Sequence, residues 1–219
     1  MINYPIRIII ASAVIIATLL CAAACAPGGD AANFKREHEI LNGQTTPDGE
    51  HTYKSVDIPA NNKFKYTDGE GAISLLASGS GILYMGFPEC PWCRTLLPTL
   101  IEAAGESGYK GDIHYYNGLD DRNVMSLDDD GNIVAEKEGE RAYLDLVDLL
   151  YDYLTPYRGL NDDSLKRIYF PTTVFYKDGA VSSVHLVTID SQESGYDALT
   201  DQQYAELKDV LIGKINAIK

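Results

Sequence analysis

The stretch Gly81-Ile82-Leu83-Tyr84-Met85-Gly86-Phe87-Pro88-Glu89-Cys90-Pro91-Trp92-Cys93 decides how this chain is read. Ile82–Phe87 is a short hydrophobic run of strand type, and an apolar pattern at helical spacing begins at the cysteines. Trp92, Leu96, Leu97, Leu100, Ile101 and Ala104 fall on one face, and Gly105 ends the pattern, which predicts a helix over 91–104. Pro91 suits the first helical position, where its missing N–H costs nothing, so Cys90 reads as the N-cap. Unpaired N–H groups and a partial positive charge at that end favour a thiolate. Cys93 lies one turn deeper and within disulfide reach. The pair therefore reads as a redox dithiol, with Cys90 the nucleophile and Cys93 the resolving thiol.

Other uses of the pair fit less well. A zinc site needs two more Cys or His ligands, and beyond Cys21 and Cys25 in the N-terminal segment no second cysteine pair exists. A structural disulfide gains little from closing so short a loop. Glu89 and Pro91 mark a surface turn, unlike a pair of cysteines that merely fill a core. His38, His51, His114 and His185 show no ligand spacing and read as ordinary surface or core residues. No metal and no cofactor is expected, and no phosphate loop, nucleotide fingerprint or Ser-His-Asp constellation is present.

The chain carries 18 Lys and Arg against 32 Asp and Glu, a net charge of −14, which argues against nucleic acid or an anionic membrane surface as an electrostatic partner. At the N-terminus, Met1–Arg7 holds one basic residue and no acid, 8–20 is apolar, and Ala22-Ala23-Ala24-Cys25 follows. That is a targeting segment. A plain secretory signal, an uncleaved helical anchor or a signal cleaved before Cys25 all place the remainder outside the cytoplasm, where disulfides persist. Ala26–Asn33 is small and polar with paired glycines, as in a tether.

Further along, 34–42 reads as a short helix or edge segment and 53–58 as a strand. Lys63–Tyr66 is strand-like, Asp68 opens a helix through Ala77, and Gly79-Ser80-Gly81 turns into the strand before the cysteines. Asp112–Tyr116 is another strand. Asn123–Glu138 reads as a hairpin around Asp130-Gly131. Glu140–Leu154 is an amphipathic helix with Tyr143, Leu146, Val147, Leu150 and Leu154 on one face. The Asp128-Asp130-Asn132 spacing is part of a calcium-loop pattern, but Ser126 and Lys137 stand where its first and twelfth ligands belong. Strands at 172–176 and 180–187 flank Lys177-Asp178-Gly179, and 204–218 closes as a helix.

Together, the strand into C-P-W-C, Pro98 within the helix, and Phe170-Pro171-Thr172 leading into an Asp-Gly hairpin resemble the thioredoxin superfamily. The resemblance covers about 64–117 and 168–219. It implies an α/β thioredoxin-like domain over 34–219, a central mixed sheet flanked by helices, with a hairpin-plus-helix insertion at about 120–167. It also implies a cis Pro171 facing the dithiol, and a substrate groove formed by Pro91, Trp92, Phe170, Pro171 and Thr172. The N-terminus is similar to a bacterial lipoprotein signal (1–24), with Cys25 lipidated and 25–33 a flexible tether. Gly86-Phe87-Pro88-Glu89 before the motif and Arg94 after it are most similar to thioredoxin-like lipoproteins of Gram-positive bacteria and to bacteriocin transport accessory proteins. That implies a thiol-disulfide oxidoreductase held by lipid on the outer face of the cell membrane. Its implied partners are exported protein or peptide thiols and disulfides and a membrane redox partner. The alternative is a non-catalytic accessory or binding lipoprotein for bacteriocin or peptide export. Tyr84 stands where many thioredoxins carry a buried Asp. Arg94 and the helix terminus are expected to favour the Cys90 thiolate, and Glu89 to oppose it.

Overall fold

The computed structural model describes residues 28–219. The expected signal segment and Cys25 lie outside the described residues. Of the tether expected over 25–33, residues 30–33 belong instead to α1 (Asp30–Glu39). Phe34 and His38, four residues apart, give this helix a fully buried stripe, and Phe34 stacks on Phe64 at 3.8 Å.

After α1 come β1 (Phe64–Tyr66), α2 (Gly69–Ser78), β2 (Gly81–Met85), α3 (Pro91–Glu106) and β3 (Ile113–Tyr116). Asp68 caps α2 by accepting the Gly71 N–H at 2.8 Å. The segment 53–58 forms no ladder, contrary to the strand expected there. Of its buried residues, Tyr53 exchanges backbone hydrogen bonds with Gly43 and Gln44, and Val56 and Ile58 are held by side chains of the α1 region. Asn42 exchanges two hydrogen bonds with Val56, and Glu39 accepts the Ile58 N–H at 2.7 Å, which replaces the missing strand partner.

The segment read as an insertion forms β4 (Val124–Leu127), β5 (Ile133–Lys137) and α4 (Arg141–Leu149), followed by a short 3-10 turn, Tyr151–Tyr153. β4 and β5 pair only with each other. Asp128 accepts the N–H groups of Asp130 and Asn132, so its carboxylate closes the turn around Gly131. Tyr143, Leu146 and Leu150 bury the inner face of the helical part, and α4 packs on α2. The chain then completes β6 (Thr172–Lys177), β7 (Ala180–Leu186) and α5 (Asp201–Ile218). Asp178 and Gly179, both at positive φ, make the two-residue turn between β6 and β7.

The main sheet has the order β1-β3-β2-β6-β7. β1, β3 and β2 run parallel, while β6 is antiparallel to β2 and β7 to β6. The fold is α/β, a mixed five-stranded sheet flanked by helices. β2 is buried at all five positions, as a central strand must be, and its C-terminal end delivers the chain to the cysteines. α3 packs against α5. Among the described residues, no helix is long and apolar enough to cross a membrane.

Candidate active site

Cys90 is the N-cap of α3 and Pro91 occupies its first turn, as expected. The Cys93 N–H donates to Cys90 Sγ at 3.1 Å, so the sulfur takes the role that a Ser or Asp oxygen plays at other helix starts. On its other side the Cys90 thiol donates to the Phe170 carbonyl at 3.6 Å. The Phe170–Pro171 peptide is cis, and Thr172 opens β6 beside it. The two distant segments that the resemblance joins thus meet at one sulfur.

Access to that sulfur is narrow. Cys90 is 3% exposed and Cys93 0%. Pro91 and Trp92 keep partial exposure, whereas Phe170, Pro171 and Thr172 are buried. The Thr172 hydroxyl turns back to the Tyr169 carbonyl at 2.6 Å. Phe87 and Phe170 meet edge to face at 5.8 Å. Trp92 lies flat over Gly195, where a Cβ would come within 3.0 Å of three ring atoms. Trp92 and Phe170 also line a cavity of about 380 Å³ whose walls include Arg158, Arg167 and Tyr169. Neither sulfur lines this cavity, which begins beside the dithiol. Thr155, Arg158 and Arg167 bring the 120–167 segment to this side of the site.

Behind Cys90, the environment separates the two thiols. Burial, and then the neighbouring Cys90, push the Cys93 thiol well above its ordinary value, while the Phe87 backbone and the Tyr84 hydroxyl act to lower it. Tyr84 Oη and Cys93 Sγ converge on Gly86: a Cβ there would stand 2.7 Å from the oxygen and 3.0 Å from the sulfur. Glycine is required so that the two can share this space. Short of a formed hydrogen bond in the dithiol, Tyr84 Oη has no partner among the described residues.

Tyr84 belongs to a polar row across one face of the sheet. Tyr66, Tyr115, Tyr84, Thr173 and His185 are register neighbours on β1, β3, β2, β6 and β7. The Tyr66–Tyr115 and Tyr115–Tyr84 rings lie 5.3 and 5.8 Å apart.

Arg94 has an anchoring role that the sequence reading did not include. It is 2% exposed, and its guanidinium donates to the carbonyls of Lys54, His38 and Pro88 and to Asn42 Oδ1, at 2.5–3.0 Å. Four of its five N–H groups are used in this way, three of them tying the 38–54 segment to the dithiol helix, and none of these four bonds goes to a sulfur. Sequence reasoning named Gly86 without its packing role and missed Gly195, Arg122, Arg158 and Arg167; among these only Gly195, after Ser194, carried a local turn signal. Among the described residues, no group of three His, Cys, Asp or Glu converges as a metal site would require. No protein-family model matches the chain, and no curated protein matches it.

Proposed function

We propose that the chain has a thioredoxin-like fold and is a thiol-disulfide oxidoreductase. In this reading, lipid on Cys25 holds it at the extracytoplasmic face of a bacterial membrane, where it exchanges disulfides with exported proteins or peptides. One observation carries the reading. Cys90 Sγ sits between the N–H of Cys93 and the carbonyl of Phe170, with Cys93 buried one turn behind.

The Cys90 thiolate attacks one sulfur of a substrate disulfide, the substrate S–S bond breaks, and the second substrate sulfur leaves as a thiolate. Before the attack the charge on Cys90 faces the helix N-terminus, and the attack passes that charge to the leaving substrate sulfur. Cys93 then gives up its proton and attacks Cys90 Sγ. The Cys90–Cys93 bond forms and the first substrate sulfur departs, so two electrons and two protons pass from dithiol to substrate. The reverse sequence oxidises a substrate dithiol, and a membrane redox partner resets the pair. The Phe170 carbonyl occupies the approach to Cys90, so its contact with the thiol opens when substrate enters.

The 3% exposure of Cys90 favours the second reading, a non-catalytic thioredoxin-like accessory lipoprotein for bacteriocin or peptide export. Insulin reduction by dithiothreitol, with the full chain in nonionic detergent, separates the two. The oxidoreductase accelerates precipitation of the insulin B chain, Cys90→Ser abolishes this, and Cys93→Ser accumulates a mixed disulfide. A wild-type rate equal to that without protein refutes the enzyme.

A further inference from the structure

Beside the dithiol of this acidic chain lies a cationic bank. Arg122, Arg158 and Arg167, three of the chain's seven arginines, gather around Phe170 and the two tyrosines near it. The Arg122 guanidinium lies 5.9 Å from the Phe170 ring centre, Arg158 5.2 Å from Tyr169, and Arg167 4.4 Å from Tyr157 and 5.9 Å from Tyr169. Aromatic faces hold a guanidinium in place without neutralising it.

Among the described residues, no carboxylate forms an ion pair with any of the three. Elsewhere the chain does neutralise its cations: Arg141 pairs with Asp145, and Lys208 with Glu102 and Glu106. Arg122 is held below its ordinary value first by burial and then by the like charge of Arg167, so two half-buried cations stand close together without a counter-ion. Such an arrangement is costly unless something negative completes it. Arg158 and Arg167 line the cavity that Trp92 and Phe170 share, where Asp190 is the one carboxylate. Phe170 itself accepts from Cys90.

We infer that this bank is the specificity subsite of the disulfide exchange proposed above, and that its substrate presents a carboxylate next to the sulfur that Cys90 attacks. The inference rests on the oxidoreductase reading and names the chemistry of the substrate. An acidic peptide or a small carboxylate-bearing disulfide supplies the same group.

The test uses the full-length Cys93→Ser protein in nonionic detergent, which retains the mixed disulfide on Cys90. Two peptide disulfides compete, identical except that the cysteine is flanked by Glu in one and Lys in the other. Cys90 adducts are counted by mass spectrometry after digestion. A second arm offers dithiodipropionate against cystamine. The net charge of −14 by itself favours the Lys peptide and cystamine, so a preference for the acidic partner has to come from local positive charge.

The expected Glu:Lys adduct ratio at low salt is about 10, roughly a factor of two for each arginine, and it falls with added salt. Arg122→Gln/Arg158→Gln/Arg167→Gln brings the ratio to one or below. Arg158 is exposed, so Arg158→Glu leaves the fold intact and still lowers the ratio should the triple variant not fold. Preference in both arms assigns the subsite to any carboxylate. Preference among the peptides alone assigns it to acidic peptides. A ratio of one or below in both arms, or one unmoved by Arg158→Glu, overturns the inference while leaving disulfide exchange standing. No Cys90 adduct with any probe refutes the exchange reading itself, and this inference with it.

Discussion

Removing the Tyr84 hydroxyl separates the stability of the fold from the rate of its chemistry. Tyr84 is fully buried, and its oxygen has no hydrogen-bond partner in the dithiol. A buried hydroxyl without a partner costs about 1–3 kcal/mol, so Tyr84→Phe is expected to match or exceed the wild type in stability by up to that amount. The chemistry moves the other way. Cys93 must shed a proton to attack Cys90, in surroundings that already disfavour its thiolate, and the Tyr84 hydroxyl is one of the two groups that offset this. A hydrogen bond to a charged group is worth about 1.5–3 kcal/mol, so its loss slows resolution about 10- to 100-fold. The assay loads Cys90 with 5-thio-2-nitrobenzoate as a mixed disulfide, in a Cys21→Ser/Cys25→Ser background. Stopped-flow absorbance then follows release of the coloured thiolate as Cys93 closes the ring. Tyr84→Phe should release it more slowly and need a higher pH to reach a given rate, with a melting temperature no lower than wild type. An unchanged rate with an unchanged pH profile would refute the reasoning.

Three other consequences can be measured on the same protein. Arg94→Leu strands three carbonyls in the interior and takes one of its two donors from Asn42 Oδ1, and chemical denaturation should show a loss of roughly 4 kcal/mol; a loss below about 1 kcal/mol contradicts the anchoring role. Burial holds His38 and His185 at about 4, below the usual imidazole value, so both are neutral in the fold and gain protons on unfolding. The stability they confer is present above about pH 6.5 and is lost as pH falls towards 4, about 3 kcal/mol each; His185→Gln should flatten this part of the pH dependence, and an unaltered slope argues against it. Gly195→Val places a side chain against Trp92, the only tryptophan, so fluorescence should shift to the red and quench more readily with acrylamide; an unchanged spectrum contradicts the stacking.

What was legible before the structure was local. The run into Cys90, Pro91 at the first turn and the apolar stripe from Trp92 to Ala104 are signals within about twenty residues, and they specify strand, cap and helix together. Asp178-Gly179 specifies its hairpin for the same reason: both residues take positive φ. Features that needed three dimensions stayed hidden. Tyr66, Tyr115, Tyr84, Thr173 and His185 form a row only once five strands are in register. Arg122, Arg158 and Arg167 are scattered through the insertion with no periodicity, so nothing along the chain marks them as neighbours. Arg94 follows the motif directly and suggested an electrostatic role at the sulfur, while the carbonyls it anchors, on His38, Lys54 and Pro88, could not be paired with it along the chain. The segment 53–58 has the composition of a strand, but Asn42 and Glu39 satisfy its backbone instead of a ladder.

The most direct measurement is a redox titration of the full chain, with the Cys90–Cys93 disulfide quantified by mass spectrometry against buffers of graded potential. One reversible two-electron transition is expected, in which both thiols disappear together, with a midpoint between about −270 and −120 mV, the span of exchanging dithiols. No disulfide between Cys90 and Cys93, or a midpoint below about −300 mV as in structural bridges, would contradict it.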